Sequence, residues 1–319
     1  MKLLQKKNIF GLAAVIAVYF VVQALIDQGI IQPFDTQNLY IIGINIILAV
    51  SLNLITGFTG QFSLGHAAFM SIGAYTSAVV ISNYGCSFIT GILLAAVFAA
   101  AAGILIGIPT LRLKGDYLAI ATLGFGEIVA VVIQNNDYLG GASGFNDIPL
   151  NTNWMWIYLS VVVVVLLISN FIKSYKGRAC IAIREDEIAA EAMGVNTTYY
   201  KVLAFAIGAA FAGIAGALYA SQIGVINPKD FQFGKSIDIL VMVVFGGMGS
   251  ILGSIVGAVV LVLISAQLQD FPQLRMVIYS VILFLIMVYR PQGLLGKTGF
   301  KFFKGRVKAD GSAHSKKSK

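Results

Sequence analysis

"GFTGQFSLGHAAFMSIGAY", Gly57 to Tyr75, holds four glycines, two serines, a glutamine and one of the two histidines of the chain, yet it lies between strongly apolar stretches. Glycine and small polar residues are poor helix interiors. In lipid, non-helical backbone persists only where protein or a water-filled cavity satisfies its polar groups. The stretch therefore predicts a helix interrupted or sharply turned at Gly57, Gly60 and Gly65, with Gln61, Ser63 and His66 placed at the interruption.

The composition says which solvent surrounds it. Hydrophobic residues make up 58% of the 319 positions and charged residues 11%, against roughly 45–50% and about 25% in soluble domains. This is the composition of an integral membrane protein. The formal charge of +8 sits at one end: from Arg290 onward there are nine Lys or Arg and one acid, Asp310, whereas residues 1–289 hold thirteen of each sign. A basic tail after an apolar span marks the cytoplasmic side and contacts anionic membrane lipid; it does not call for a nucleic-acid partner. Cys86 and Cys180 are too few and too far apart for a disulfide framework or a zinc site, and read as packing residues. Lys2, Lys6 and Lys7 ahead of an apolar run from Asn8 to Ile26 imitate a signal peptide. That run is longer than an h-region and no small-x-small cleavage site follows, so the first span is expected to be retained.

About twenty helical residues cross a hydrocarbon core. Apolar segments of that order lie at 8–26, 39–57, 62–82, 87–108, 117–133, 154–172, 202–223, 237–268 and 274–290, and all six prolines fall outside them or at their ends, as helix punctuation should. The run 237–268 is long for one crossing and short for two, and charge decides between them. The N-terminus, Arg112 and Lys114, the loop from Lys173 to Lys201 and the tail carry Lys and Arg; loops 27–38 and 134–153 carry acids only. By the positive-inside rule, the tail returns to the basic side only if 237–268 crosses twice, broken at Gly246 to Gly249. Lys229 and Lys235, in an outer loop, are the exception. The expectation is an all-α polytopic protein of about ten transmembrane helices, both termini cytoplasmic. Pairing spans 2–5 with 7–10 gives inverted-repeat-like halves with broken or re-entrant segments, the pattern that points to a translocation path. Two runs of small residues, Gly208, Ala212, Gly216, Ala220 and Gly249, Gly253, Gly257, predict close helix packing.

Five stretches in order, "LNLITGFTGQFSLGHAAFMSIGAY", "KGDYLAIATLGFGEI", "GRACIAIREDEIAAEAMGVN", "FGGMGSILG" and "YRPQGLLG", resemble the permease subunits of branched-chain amino acid ABC importers, LivM type, over about residues 39–296. Residues 1–296 are expected to form a transmembrane permease domain, with 173–201 its cytoplasmic coupling loop, and 297–319 a disordered basic cytoplasmic tail. The resemblance implies half of a pore in the bacterial or archaeal cytoplasmic membrane, paired with a LivH-type permease, two cytoplasmic ATP-binding subunits and an extracytoplasmic binding protein. Implied cargoes are leucine, isoleucine and valine, with urea, short amides or other amino acids as the alternative. One departure stands out: the family pattern often places an arginine after the glutamate at 127, where this chain reads "EIVAVVI".

The loop 173–201 is unlike the rest. Arg184, Glu187 and Glu191 fall on one helical face by their spacing, with Ile188, Ala189, Ala192 and Met193 on another. Gly194 suits a C-cap and Asn196 or Thr197 a new N-cap. A solvated surface helix is one reading and a coupling helix seated in an ATPase groove is the other. "IAAEAMG" resembles the ABC importer coupling motif through Ala189, Ala190 and Gly194, with isoleucine where its glutamate would stand. The chain carries no nucleotide site of its own: "GKT" at Gly296 has proline at 291 where a P-loop needs glycine. ATP is therefore expected on partner subunits, with no cofactor and no catalysis in this chain.

Candidate path residues are Gln61, Ser63, His66, Glu127, Gly246 and Gly247. Each has a plain alternative. A lone histidine in an apolar bundle is usually a hydrogen-bonded packing residue, and no second one is placed to share a metal. Glu127 is the only acid well inside a span; such a carboxylate is either paired, near the membrane face, or functional. An ion-coupled transporter using Glu127 or Asp238 is the main rival, and a membrane enzyme the weakest, for lack of any nucleophile–base set.

Overall fold

The computed structural model describes residues 17–268 other than 112 and 114, together with Val277, Ile278, Val281, Phe284 and Gly293. The N-terminal lysines, Arg112, Lys114, most of the last apolar span and the basic tail lie outside the described residues.

The described chain is helical: α1 (Ala17–Asp27), α2 (Pro33–Asn53), α3 (His66–Ser82), α4 (Phe88–Thr110), α5 (Asp116–Gln134), α6 (Trp154–Lys173), α7 (Tyr175–Glu185), α8 (Glu187–Ala192), α9 (Thr197–Ile223), α10 (Phe233–Gly246) and α11 (Ile251–Gln267). No strand occurs among the described residues; an isolated antiparallel bridge, Phe145 to Ile226, joins two loops at one end of the bundle. Pro33 opens α2 and Pro109 falls in the last turn of α4, positions where a missing N–H or a stop is tolerated. Five helices are long and apolar enough to cross a membrane: α2 with its extension to Phe58, α4, α5, α6 and α9. The chain is a multi-pass helical membrane protein. The elements beside the interruptions are shorter, 17 residues in α3 and 14 in α10.

Helix α9 is the axis, packed on α3 and α4. Its small face does what the spacing predicts: a Cβ added to Gly216 would lie 2.0 Å from the Met70 carbonyl oxygen, and one on Gly213 2.6 Å from the Ala95 carbonyl oxygen. Backbones approach that closely only where one partner has no side chain. In the other half, α2 packs on α10 and α11 as α9 packs on α3 and α4. Helices α10 and α11 form an antiparallel hairpin, since Gly246 abuts the Gly253 carbonyl and Gly257 the Met242 carbonyl. The turn between them needs two glycines at positive φ, Gly247 at 114° and Gly249 at 82°. This corrects one expectation: Gly249 shares four-residue spacing with Gly253 and Gly257 but sits in the turn, and only the latter two belong to α11. Apolar side chains of α4 and α6, such as Leu93, Val97, Leu105, Leu159 and Leu166, point outward, as a lipid-facing surface requires.

Candidate translocation path and coupling segment

Helix α2 does not end cleanly. It widens into a π-helical turn, Leu54–Phe58, and stops at Thr59; such turns recur at functional sites. Gly60 then takes φ of 72°, and the chain runs without helix until α3 begins at His66. His66 lies beside Ser51, 2.9 Å from its hydroxyl. Since Ser51 is seven residues before the end of the π turn, the segment 60–65 folds back along α2. Two of its donors are met by neighbours: Gln61 N–H by the Ile55 carbonyl at 3.1 Å, and Leu64 N–H by the Thr122 hydroxyl of α5 at 3.0 Å. Ala67 N–H finds the Ser236 hydroxyl of α10 at 3.1 Å. These bonds tie the irregular backbone to α2 and α5, and the N-termini of α3 and α10 meet.

The two interruptions touch. Asn53, fully buried, donates from Nδ2 to the Ser250 carbonyl at 3.0 Å and accepts at Oδ1 from the Gly249 N–H at 2.8 Å. A Cβ on Gly57 would stand 1.8 Å from that Oδ1 and 2.4 Å from the Gly249 nitrogen. Gly293, from the last of the five motifs, lies against Gly247 at positive φ. Gly246 and Gly247 thus serve a packed turn, with glycine required by contact and by conformation.

Two helices, not one, form the excursion at 175–192. Ser174 ends α6 and turns the chain at once: its hydroxyl accepts from the Gly177 N–H at 3.2 Å, and Gly177 is pressed on the Phe171 carbonyl. Asp186 then stops α7 and caps α8, its Oδ1 accepting from the Ile188 and Ala189 N–H groups at 3.0 Å each. The expected single face of Arg184, Glu187 and Glu191 is therefore divided. Arg184, on α7, donates from Nη1 to the Gly57 carbonyl at 2.8 Å. Glu187, on α8, pairs with Lys201 Nζ at 2.6 Å, and Ala190 is buried. Ala189, Glu191 and Gly194 face outward, as do Ile188, 75% exposed, and Met193, 83% exposed. Gly194 takes φ of 83° and Asn196, rather than Thr197, caps α9 through the Tyr199 N–H. Cys180 is buried between α7 and α9, and burial pushes its thiol up to about 11; it is a packing residue.

The remaining path candidates separate. His66 is fully buried, with its Nε2 2.9 Å from the Ser51 hydroxyl. Gln61 reaches the Lys201 carbonyl at 3.3 Å. Ser63 is buried beside it in sequence, and its hydroxyl has no partner among the described residues. Glu127 is different: it sits mid-helix on an exposed face of α5 with Tyr117, Ile120, Ile128 and Val131, and a Cβ on nearby Gly124 would meet nothing within 4 Å. It has no hydrogen bond or ion pair among the described residues. If packing is the whole role of His66, His66→Ala should destabilise the purified protein by about 2–4 kcal/mol through a cavity and a lost hydrogen bond. Thermal unfolding in detergent reads this, and apparent substrate affinity should stay unchanged in the fraction that folds.

A family model described as branched-chain amino acid transport system / permease component matches residues 36–288, from α2 through α11 and beyond. The chain belongs to that family. Among members of the branched-chain permease family, it is 40% identical over 290 residues to the high-affinity branched-chain amino acid transport system permease protein LivM of Salmonella typhimurium, covering 80% of this chain and 68% of that one. It is 37% identical to LivM of Escherichia coli over 309 residues, 86% of this chain and 72% of the other. LivH of Salmonella typhimurium, the other permease protein, is 27% identical over 288 residues, 79% and 91% of the two chains. No solved structure matches the chain significantly.

Proposed function

We propose that this chain is the LivM-type half of the translocation path of an ATP-driven importer for leucine, isoleucine and valine. A LivH-type permease supplies the other half, two cytoplasmic subunits bind and hydrolyse ATP, and an extracytoplasmic binding protein delivers the substrate. The observation that carries the energetic part is α8. It is anchored on its inner side by Glu187 on Lys201 and by buried Ala190, while Ile188 and Met193 stand out at 75% and 83% exposure. Exposed apolar anchors flanked by polar residues fit helix-in-groove docking, which an isolated solvated helix would have no use for.

In this reading α7 and α8 face the cytoplasm, with both termini on the same side. The hairpin α10–α11 supplies two of about ten crossings, and the matching contacts of α9 and α2 support inverted-repeat-like halves. The α5 face bearing Glu127 is turned toward the path or the LivH-type partner, because a carboxylate at the centre of a span costs about 2.5–3.5 kcal/mol against lipid. There it offers a weak, water-accessible contact for the ammonium group of a zwitterionic amino acid. Gln61 and Ser63 belong to the held segment behind that path.

Glu191→Ala and Gly194→Leu are expected to lower both uptake and the stimulation of ATP hydrolysis by loaded binding protein, with membrane insertion intact. Gly194→Leu also strains a residue at φ of 83° by roughly 1–2 kcal/mol. Normal coupled transport in both variants would remove α8 from the role of docking helix.

A further inference from the structure

We infer that Arg184 is a transmission strut rather than a contact for the ATP-binding subunits: it is the positioning residue that carries movement of α7 and α8 into both interruptions of the membrane helices. This rests on the reading of α8 as the docking helix.

Every donor-bearing nitrogen of the guanidinium is already engaged. Nη1 donates to the Gly57 carbonyl at 2.8 Å, while Nε, at 3.1 Å, and Nη2 both donate to the carboxylate of Glu185. The acceptor at Gly57 belongs to the end of α2, where the last carbonyls have no donor within the helix and a cation is favoured by the helix dipole. The same side chain meets two more glycines. A Cβ on Gly60 would lie 3.0 Å from Arg184 Cγ, and one on Gly249 2.9 Å from Arg184 Nη1. One side chain therefore reaches all three places: its planar fork meets the π turn and the turn between α10 and α11, and its stem meets the residue that redirects the chain after the π turn. Asn53 ties the first and the last of these to each other, so a push on Arg184 moves them as one body.

The other links from this segment run elsewhere. Glu187 holds Lys201, which lies in the second turn of α9, the packed axis of the bundle. That pair anchors α8 to the scaffold, whereas Arg184 alone among the residues of α7 and α8 is bonded to the interrupted backbone. What projects for a partner is Ile188 and Met193.

The test uses the full importer complex in lipid nanodiscs and hydrogen–deuterium exchange, with and without ATP and vanadate. In the unaltered complex, trapping should change exchange in 187–194 and also in 54–60 and 246–250. In Arg184→Gln the response of 187–194 should persist, that of 54–60 and 246–250 should vanish, and uptake should fall about tenfold or more, the scale of one lost charge-assisted hydrogen bond. Arg184→Lys, which keeps one cationic donor, should recover part of both. Gly249→Ala, which leaves Arg184 in place but displaces Nη1, should reproduce the loss and serves if the glutamine variant does not assemble. A response of 54–60 and 246–250 that survives in either altered complex would overturn the strut and leave the docking reading standing. Absence of any response at 187–194 in the unaltered complex would overturn both.

Discussion

Gly57→Ala is expected to abolish uptake and to destabilise the chain by about 2–6 kcal/mol, the sum of two buried polar groups losing their partners at about 1–3 kcal/mol each. The added Cβ would stand 1.8 Å from Asn53 Oδ1 and 2.4 Å from the Gly249 nitrogen. The amide of Asn53 would have to leave, taking with it the bonds to Gly249 and Ser250. A second variant isolates the cause. Asn53→Leu removes the same bonds without adding the clash, and should be similarly damaging. Asn53→Asp can still accept from Gly249 but cannot donate to the Ser250 carbonyl, and should fall between. Thermal unfolding of the purified complex and uptake by proteoliposomes measure the two effects. A Gly57→Ala complex that is stable and active would mean that the two interruptions are not held together through Asn53.

The second large effect belongs to the helix axis. In Gly216→Ala the new methyl would sit 2.0 Å from the Met70 carbonyl oxygen and 2.8 Å from the Ala74 nitrogen, both backbone atoms of α3. No rotamer change relieves such a contact, so α9 and α3 must part. The same seam holds Gly73, where a Cβ would meet the Gly213 carbonyl oxygen at 2.2 Å, so the separation would spread along it. Overpacking costs about 1–3 kcal/mol where side chains can adjust; with backbone on the far side, a loss of about 3 kcal/mol or more is expected, seen as a lower unfolding temperature and poor yield. Gly124→Ala is the control. Its Cβ meets nothing within 4 Å, and it should be neutral or stabilising by up to about 1 kcal/mol, the helix preference of alanine over glycine.

What could be read in the sequence was local. The interruption after Gly57 was legible because glycines and polar residues break an apolar run, and so was the small face of α9, which four-residue spacing displays. The turn at Gly246 to Gly249 was legible through the length of its run and the charge that follows. Asp186 carries a local signal too: an N-cap residue between Arg184 and Glu187 divides one apparent helix into two. Burial of His66 on Ser51, Asn53 across to Gly249 and Ser250, and Arg184 across to Gly57 were not legible. Each joins residues 15, 196, 197 and 127 positions apart, and spacing carries no information about such pairs. The outward face of Glu127 was equally hidden, since a position inside a span does not say which side of the helix is covered.

The claim on which the account turns is that this permease family member is driven by ATP hydrolysed on partner subunits that dock at α8. Reconstituting it in vesicles with the LivH-type permease, the binding protein and labelled leucine, with and without the ATP-binding subunits, tests this most directly. Uptake is expected only with those subunits and ATP present, and should be indifferent to proton or sodium gradients. Uptake that follows an imposed ion gradient without ATP and without the ATP-binding subunits would contradict the account and assign Glu127 to ion coupling.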